Sequence, residues 1–376
     1  MTRFRLVALV LAPALVLVSA TSAAAIPKAS REKLVAKPIQ TLALDGSRVA
    51  YMRDDRRVAV WNVSTGATTV IQGTYPSNGR RFGYGGGEVA IAGERVAVIT
   101  RFVTGNSQQT QERLYTATLG GVAHQLGKLT NHSTNPQDGE PDGGLSYGNW
   151  IAGVVGSGKT LAVSIWKSND GVPANERLSV VTPTGLHTIV TGPGAIVARA
   201  ADGGHIAVFR STSAWPAEDV DPATTAPTVG IYSTSGALLR EIALSSSAYD
   251  IALSGDELVV LTETSPQPGS FAATLQVYNW LTGELTDTWP VSLGHLSPGA
   301  HQLAVYGQIA AVEGPNRLHL VDLKTGKDVA IAPSSASPAA IDSRGLVYAV
   351  NPSSDKGRGK LVFVPMAKLR ADVAAG

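Results

Sequence analysis

The chain has 376 residues, 44% hydrophobic and 16% charged, a balance that supports a large buried core and excludes a disordered or fibrous protein. There is no cysteine, so neither a disulfide scaffold nor lipid attachment at an N-terminal Cys is available. The formal net charge of +2 provides no basic field for nucleic acid or anionic lipid.

Residues 1–25 read as an export signal. Arg3 and Arg5 supply the positive start, Leu6 to Val18 the apolar stretch, and Ala23-Ala24-Ala25 the small-residue cleavage site before Ile26. The apolar stretch is shorter than the roughly 20 residues of a bilayer span. No later stretch reads as a membrane span. Without Arg3 and Arg5, Lys+Arg falls to 29, equal to Asp+Glu. The expectation is a secreted or periplasmic protein.

From residue 39 onward one unit recurs: an alternating strand, a turn carrying glycine, then an apolar strand. In order the copies are LALDGSRVAYM, VAIAGERVAVI, AGVVGSGKTLAVSI, VARAADGGHIAVF, IALSGDELVVL, LAVYGQIAAV and AAIDSRGLVYAV. Their turn glycines are taken as Gly46, Gly93, Gly158, Gly204, Gly255, Gly307 and Gly345, spaced roughly at the 40–50-residue period of a propeller blade. A second hairpin follows most copies, with a Thr/Ser-Gly turn in WNVSTGATTV, VTPTGLHTIV, YSTSGALLREI, YNWLTGELTDTW and VDLKTGKDVAI. Unit two offers Leu119-Gly120-Gly121 there, and unit seven (KLVFVPMAKL) lacks the turn. Four short strands per unit predict an all-β fold, a seven-bladed β-propeller of four-stranded antiparallel blades, with six or eight blades as alternatives. Residues 39–370 form the propeller domain, and 371–376 read as a flexible tail. Residues 26–38 precede the first blade, and Lys33 to Pro38 are apolar enough to complete blade seven as a ring-closing strand.

The repeat resembles the WD40-like repeats of TolB-type and quinoprotein-type propellers, in an exported, bacterial-type member. The resemblance is carried by Asp45-Gly46-Ser47-Arg48-Val49-Ala50-Tyr51, by Ala201-Asp202-Gly203-Gly204-His205-Ile206-Ala207 and by the Thr/Ser-Gly turns. The Trp-Asp pair of WD40 blades is missing, since Asn62 follows Trp61 and Leu281 follows Trp280. Quinone-binding tryptophan motifs are also missing, so the resemblance implies no quinone cofactor.

Two catalytic-looking motifs conflict with their surroundings. Gly153 to Thr160 matches G-x-x-x-x-G-K-T, but a phosphate cradle needs a helix after the loop and LAVSIW alternates as a strand. Gly144-Leu145-Ser146-Tyr147-Gly148 matches G-x-S-x-G, but NWIAGVV after it again reads as a strand, not the helix of a nucleophile elbow. Asp138, Glu140 and Asp142 alternate ahead of Gly143, a spacing that could wrap calcium. The twelfth position is Asn149 rather than a bidentate Glu, which favours a solvated turn. His124, His132, His187, His205, His295, His301 and His319 show no metal-ligand spacing. No catalytic, cofactor-binding or metal residue is therefore assigned, and no cofactor is expected. Trp61, Trp166, Trp280 and Trp289 read as blade packing, Trp150 opens a strand, and Trp215 in a loop is the better contact residue.

Long segments at 103–113, 167–177, 211–227 and 263–273, with links at 72–87 and 129–146, fall on one face and read as loops. Insertions in repeat folds gather on the working side. The reading is a monomeric, exported, non-enzymatic binding or scaffold propeller that engages a protein or cell-envelope component through that face. The alternative is a propeller-type hydrolase or lyase with acids and histidines around the channel. The inner strands LALD, VAIA, VARAA and IALS look small and apolar, which favours binding.

Overall fold

A computed structural model describes residues 29–375 except 75–86, 105–108, 127–130, 135–145, 170–171, 193–194, 212–227, 245–247, 268–269, 294–301, 315–316, 332–335 and 354–356. The signal-like segment and the calcium-like 138–143 stretch lie outside these residues.

The chain opens with β1 (Arg31–Val35). Blade one is β2 (Ile39–Asp45), β3 (Arg48–Arg53), β4 (Val58–Asn62) and β5 (Thr68–Ile71). Blade two is β6 (Gly87–Ala92), β7 (Arg95–Thr104), β8 (Gln109–Thr118) and the short β9 (His124–Gln125), followed by a linking strand β10 (Asn131–Thr134). Blade three is β11 (Ser146–Ser157), β12 (Thr160–Asn169), β13 (Val172–Thr182) and β14 (Gly185–Gly192). Blade four is β15 (Ala195–Asp202), β16 (His205–Ser211), β17 (Thr228–Ser233) and β18 (Leu238–Ala243), and blade five is β19 (Ala248–Ser254), β20 (Glu257–Gln267), β21 (Ser270–Asn279) and β22 (Glu284–Val291). Blade six is β23 (Leu303–Tyr306), β24 (Ile309–Glu313), β25 (Leu318–Asp322) and β26 (Asp328–Ala330). Blade seven is β27 (Ala336–Asp342), β28 (Gly345–Val350) and β29 (Gly359–Pro365), completed by β1. The molecule is a seven-bladed β-propeller.

The ring closes through β1, which pairs antiparallel with β29 from Arg31↔Phe363 to Val35↔Gly359. The strand lies slightly upstream of Lys33–Pro38, because Pro38 has no N–H to donate to a ladder and Asp54 N–H instead bonds its carbonyl at 2.8 Å. Residues 371–376, expected to form a flexible tail, are helical as far as Ala375. Helix α1 (Met366–Ala375) leaves β29 directly, and its Met366, Leu369 and Val373 are buried against Leu318, Leu320 and Leu346. Unit seven lacks a fourth-strand turn because its outer strand comes from the other end of the chain.

Local chemistry explains the repeat. The first turn residues are Gly46, Gly93, Gly158, Gly203, Gly255 and Gly307, with φ between 54° and 61°, a region glycine enters without steric cost. In blade four the equivalent residue is thus Gly203, not Gly204. In blade seven it is Ser343, with Gly345 already in β28. The outer turns of blades one, five and six share another device. Asn62, Asn279 and Asp322 each accept two main-chain N–H groups through Oδ1 at 2.8–3.2 Å, and the Gly four residues on donates back to the same residue's carbonyl at 2.7 Å. The residue after each Asn or Asp (Val63, Trp280, Leu323) is buried, and its N–H bonds the inner turn of the same blade.

Apolar clusters fill the spaces between blades, so the core is a series of sheet-on-sheet interfaces. Polar side chains, most of them buried, then fasten one blade to the main chain of the next. Asn351 of blade seven brackets Ile39 of blade one, accepting its N–H and donating to its carbonyl, both at 2.8 Å. Glu112 accepts Ile151 N–H at 2.6 Å, Ser164 accepts Ala198 N–H at 2.9 Å, and Glu176 accepts the Ile196 N–H. Asp250 accepts the N–H groups of Gln302 and Leu303 at 2.7 and 3.0 Å, and Glu313 accepts Ala339 N–H at 2.5 Å.

Candidate functional site: the hairpin-bearing face and the channel

On the face opposite the inner turns, three of the segments read as loops are largely strand. The β7–β8 ladder continues to Thr104↔Gln109, β12–β13 to Asn169↔Val172, and β20–β21 to Gln267↔Ser270. Segments 103–113, 167–177 and 263–273 are therefore mostly hairpin ribbons that prolong the middle strands of blades two, three and five. Polar residues conceal this in sequence, because they interrupt the apolar alternation by which a strand is read. Link 129–146 contains β10, which pairs on one side with β8 (Asn131↔Gln111 to Ser133↔Gln109) and on the other with β11 (Ser133↔Tyr147, Thr134↔Ser146). Blades two and three consequently join in one nine-stranded sheet. Segment 212–227, with Trp215, and 75–86 lie outside the described residues.

The central channel is lined by the innermost strand of every blade and contains an open cavity of about 200 Å³. Three residues before the inner turn stand Ala43, Ala90, Ala200, Ala252, Ala304 and Ala340, with Val155 in blade three. Small side chains suit the point where the blades converge. Among the described lining residues, the expectation of an apolar wall holds except at Thr41, Glu88 and Arg199. Arg199 lies inside VARAA, which sequence reading treats as small and apolar. Its signal was a lone ionisable residue where the other copies carry aliphatic ones.

Glu88 belongs to a charged group at the hairpin-side mouth. Arg101 donates to Glu88 Oε1 at 2.9 Å, to Glu112 Oε1 at 2.5 Å and to the Ile151 carbonyl at 3.0 Å. Burial alone would lower the Arg101 pKa, but the carboxylates of Glu88 and Glu112 raise it above its usual value, so it stays ionised. Burial pushes Glu112 upward against the pull of Arg101.

The opposite mouth carries a circumferential chain of turn-to-turn bonds. Asp342 Oδ2 accepts Gly46 N–H at 2.5 Å. Asp45 accepts the N–H groups of Gly93 (2.5 Å) and Gly158 (3.0 Å), and Asp202 accepts Gly255 N–H at 2.8 Å. Ser254 Oγ accepts Gly307 N–H at 2.9 Å. These aspartates are thereby assigned to blade alignment. Burial raises Asp342 to about 6.

The motif candidates fall as follows. In 153–160 the strand β11 runs to Ser157 and β12 begins at Thr160, so Gly158-Lys159 is the blade's inner turn and no helix follows. A Cβ on Gly153 would meet the Ala198 carbonyl oxygen at 2.3 Å, and one on Gly156 the Ile91 carbonyl oxygen at 2.5 Å. These glycines let inner strands approach backbone to backbone. Ser146 begins β11 and pairs with Thr134, so G-x-S-x-G is not a strand-to-helix elbow. Trp61 and Trp280 are buried and Trp289 donates to the Leu323 carbonyl at 2.8 Å, consistent with packing. The side chains of Trp150 and Trp166 lie outside the described residues. His319 Nδ1 meets Asp328 Oδ1 at 2.7 Å between β25 and β26, and His205 packs on Trp280 with ring centroids 4.9 Å apart. His124 and His187 are exposed. His132's side chain, His295 and His301 are outside the described residues.

Fold and lining thus define the class: a seven-bladed β-propeller with a narrow, mainly aliphatic channel. Among solved structures it is similar to the β-propeller domain of the Trilobed protease from Pyrococcus furiosus, with TM-score 0.51 and 12% identity over 88% of this chain and 94% of that one. That domain has an open velcro topology, whereas β1 closes the ring here. The chain is also similar to the acylaminoacyl peptidase of Pyrococcus horikoshii (TM-score 0.46, 10% identity, 82% of this chain and 49% of that one) and to BamB from Moraxella catarrhalis (TM-score 0.40, 12% identity, 87% and 85%). It spans about half the length of the peptidase. At these identities the likeness concerns the fold alone. No protein-family model and no curated protein matches the sequence. Among the described residues, no helix is long and apolar enough to cross a membrane.

Proposed function

We propose that the protein is an exported, monomeric, non-enzymatic propeller that binds a protein or cell-envelope component through its hairpin-bearing face. The observation that carries this reading is the nine-stranded sheet in which β10 bridges the β8 ribbon to blade three. A ribbon supported on both edges presents a preorganised surface, which lowers the ordering cost of binding a macromolecule. The signal-like residues 1–25 support export. A second reading, a hydrolase or lyase at the channel, draws on the Glu88–Arg101–Glu112 group at the same mouth.

Replacing residues 102–111 with an Asn-Gly turn shortens the ribbon and removes the partner of β10 while keeping Arg101 and Glu112. Quantitative capture from envelope extract should then lose the partners retained by the full chain. An unchanged set of partners refutes the face assignment. Turnover of ester or glycoside substrates by the native protein, abolished in Glu88→Gln, would favour the enzymatic reading instead.

A further inference from the structure

At the hairpin-side end of the ring, polar side chains link blades five, six, seven and one in series. Asp250 of blade five accepts the N–H groups of Gln302 and Leu303, at the start of blade six. Gln302 exchanges bonds with Glu313 on β24, accepting its N–H at 2.8 Å and donating from Nε2 to its carbonyl at 3.4 Å. Glu313 then reaches blade seven: Oε1 accepts Ala339 N–H and Oε2 meets Ser337 Oγ, both at 2.5 Å. Asn351 donates to the Ser337 carbonyl at 3.0 Å and brackets Ile39 of blade one. Leu303 and Ala339 line the channel, so the series runs along its mouth. The other end of the seam between blades six and seven is held by packing, where Ile309 and Ala311 of β24 share a cluster with Ile341 and Leu346.

We propose that Glu313 is a proton-operated latch: while its carboxyl is neutral the hairpin-side end of this seam is shut, and when it ionises the start of β27 parts from β24 and widens that mouth of the channel. The groups around Glu313 make a second charge there costly. Burial raises its carboxyl to about 7 against the Ser337 and Ala339 hydrogen bonds, and the negative charge of Asp250 adds to the rise. β23 brings no charged residue, and β25 turns Leu318 and Leu320 to the seam while His319 is bonded to Asp328. From Ala336 to Val350 the charged residues are Asp342 and Arg344, at the inner turn and the far end of β27. An ionised Glu313 therefore gains most by reaching water. The channel mouth supplies it, and the packed end of the seam serves as the hinge.

Hydrogen exchange read by mass spectrometry on the full chain, corrected for the intrinsic pH dependence of amide exchange, tests the latch. Between pH 5 and pH 7.5 the protection of peptides covering β27 should fall by about tenfold or more, because the open state releases a proton that the closed state holds. Peptides covering β3 and β4 of blade one should keep theirs. Glu313→Gln, a neutral side chain of the same shape, should hold β27 protected at both pH values. An equal change in β27 and in the blade-one strands, no change in β27, or an undiminished fall in a folded Glu313→Gln variant would each overturn the proposal. Should Glu313→Gln fail to fold, the comparison of β27 with β3 and β4 in the native chain still decides.

Discussion

Gly153 and Gly156 show how one residue type can carry either chemistry or packing, according to what lies beside it. In sequence they belong to a phosphate-loop pattern. In the ring, each stands where a neighbouring inner strand's carbonyl oxygen occupies the space of a side chain. Adding a methyl group at either position forces the inner strands of adjacent blades apart. Gly156→Ala should destabilise the protein by about 2 kcal/mol, in the range typical of overpacking, with the denaturant slope unchanged. Urea unfolding followed by circular dichroism measures this, and a loss well under 0.5 kcal/mol would mean that the strands yield freely. Arg199 is the complementary case, a charged side chain which a bulge delivers to the channel wall.

At the level of the element, β1 and α1 converge on blade seven from opposite chain ends. β1 supplies the fourth strand, adds the buried Val35 to the cluster around Phe363, and anchors Arg31 to the Ser64 carbonyl of blade one at 3.0 Å. Without it, β29 becomes an open edge whose N–H and C=O groups lose their partners. Deleting residues 26–35 should lower the melting temperature by several degrees and promote self-association through that edge. An unchanged melting point would show that blade seven holds by packing alone. Helix α1 covers the other side of the same blade; its buried Met366, Leu369 and Val373 do stand at helical spacing, but over only ten residues at the end of a chain of strands.

At the level of the whole molecule, the blades are fastened by buried carboxyl groups, which couples ring stability to pH. Burial raises Glu176 to about 8 and Glu313 to about 7, in each case against the N–H groups it accepts. Their unfolded counterparts titrate near 4.5, so the folded ring holds protons that the unfolded chain has released. Their contribution is full below about 4.5 and is lost as pH rises through 7 and 8. Asp328 acts in the opposite sense: burial opposes its ionisation, yet His319 and the Ser292 N–H hold it below the usual carboxyl range, so its contribution is lost under strong acid. The melting temperature should peak in mildly acidic solution and fall toward pH 9. Glu176→Gln should flatten that fall and melt higher than the native protein at pH 9. Thermal scans at pH 5, 7 and 9 check both, and an unaltered pH slope in the variant would remove Glu176 from this role.

How much of this was legible in the sequence follows from the range of the forces involved. Strand alternation, turn glycines and Asn/Asp-x-x-Thr-Gly turns act within a few residues, so LALDGSRVAYM and its copies announced the blades and their number. The register of the blade-four and blade-seven turns was harder to read, because Gly203-Gly204 offers two glycines for one turn position and in Ser343-Arg344-Gly345 the single glycine stands in the strand after the turn. The ribbons at 103–113 and 263–273 pair residues close in the chain but are hidden by their polar composition, whereas the turn-to-turn bonds of Asp45 and Asp202 and the meeting of Arg199 with the channel depend on groups far apart in the chain. Local composition carries no trace of such pairings, and only closure of the ring brings them within hydrogen-bonding distance.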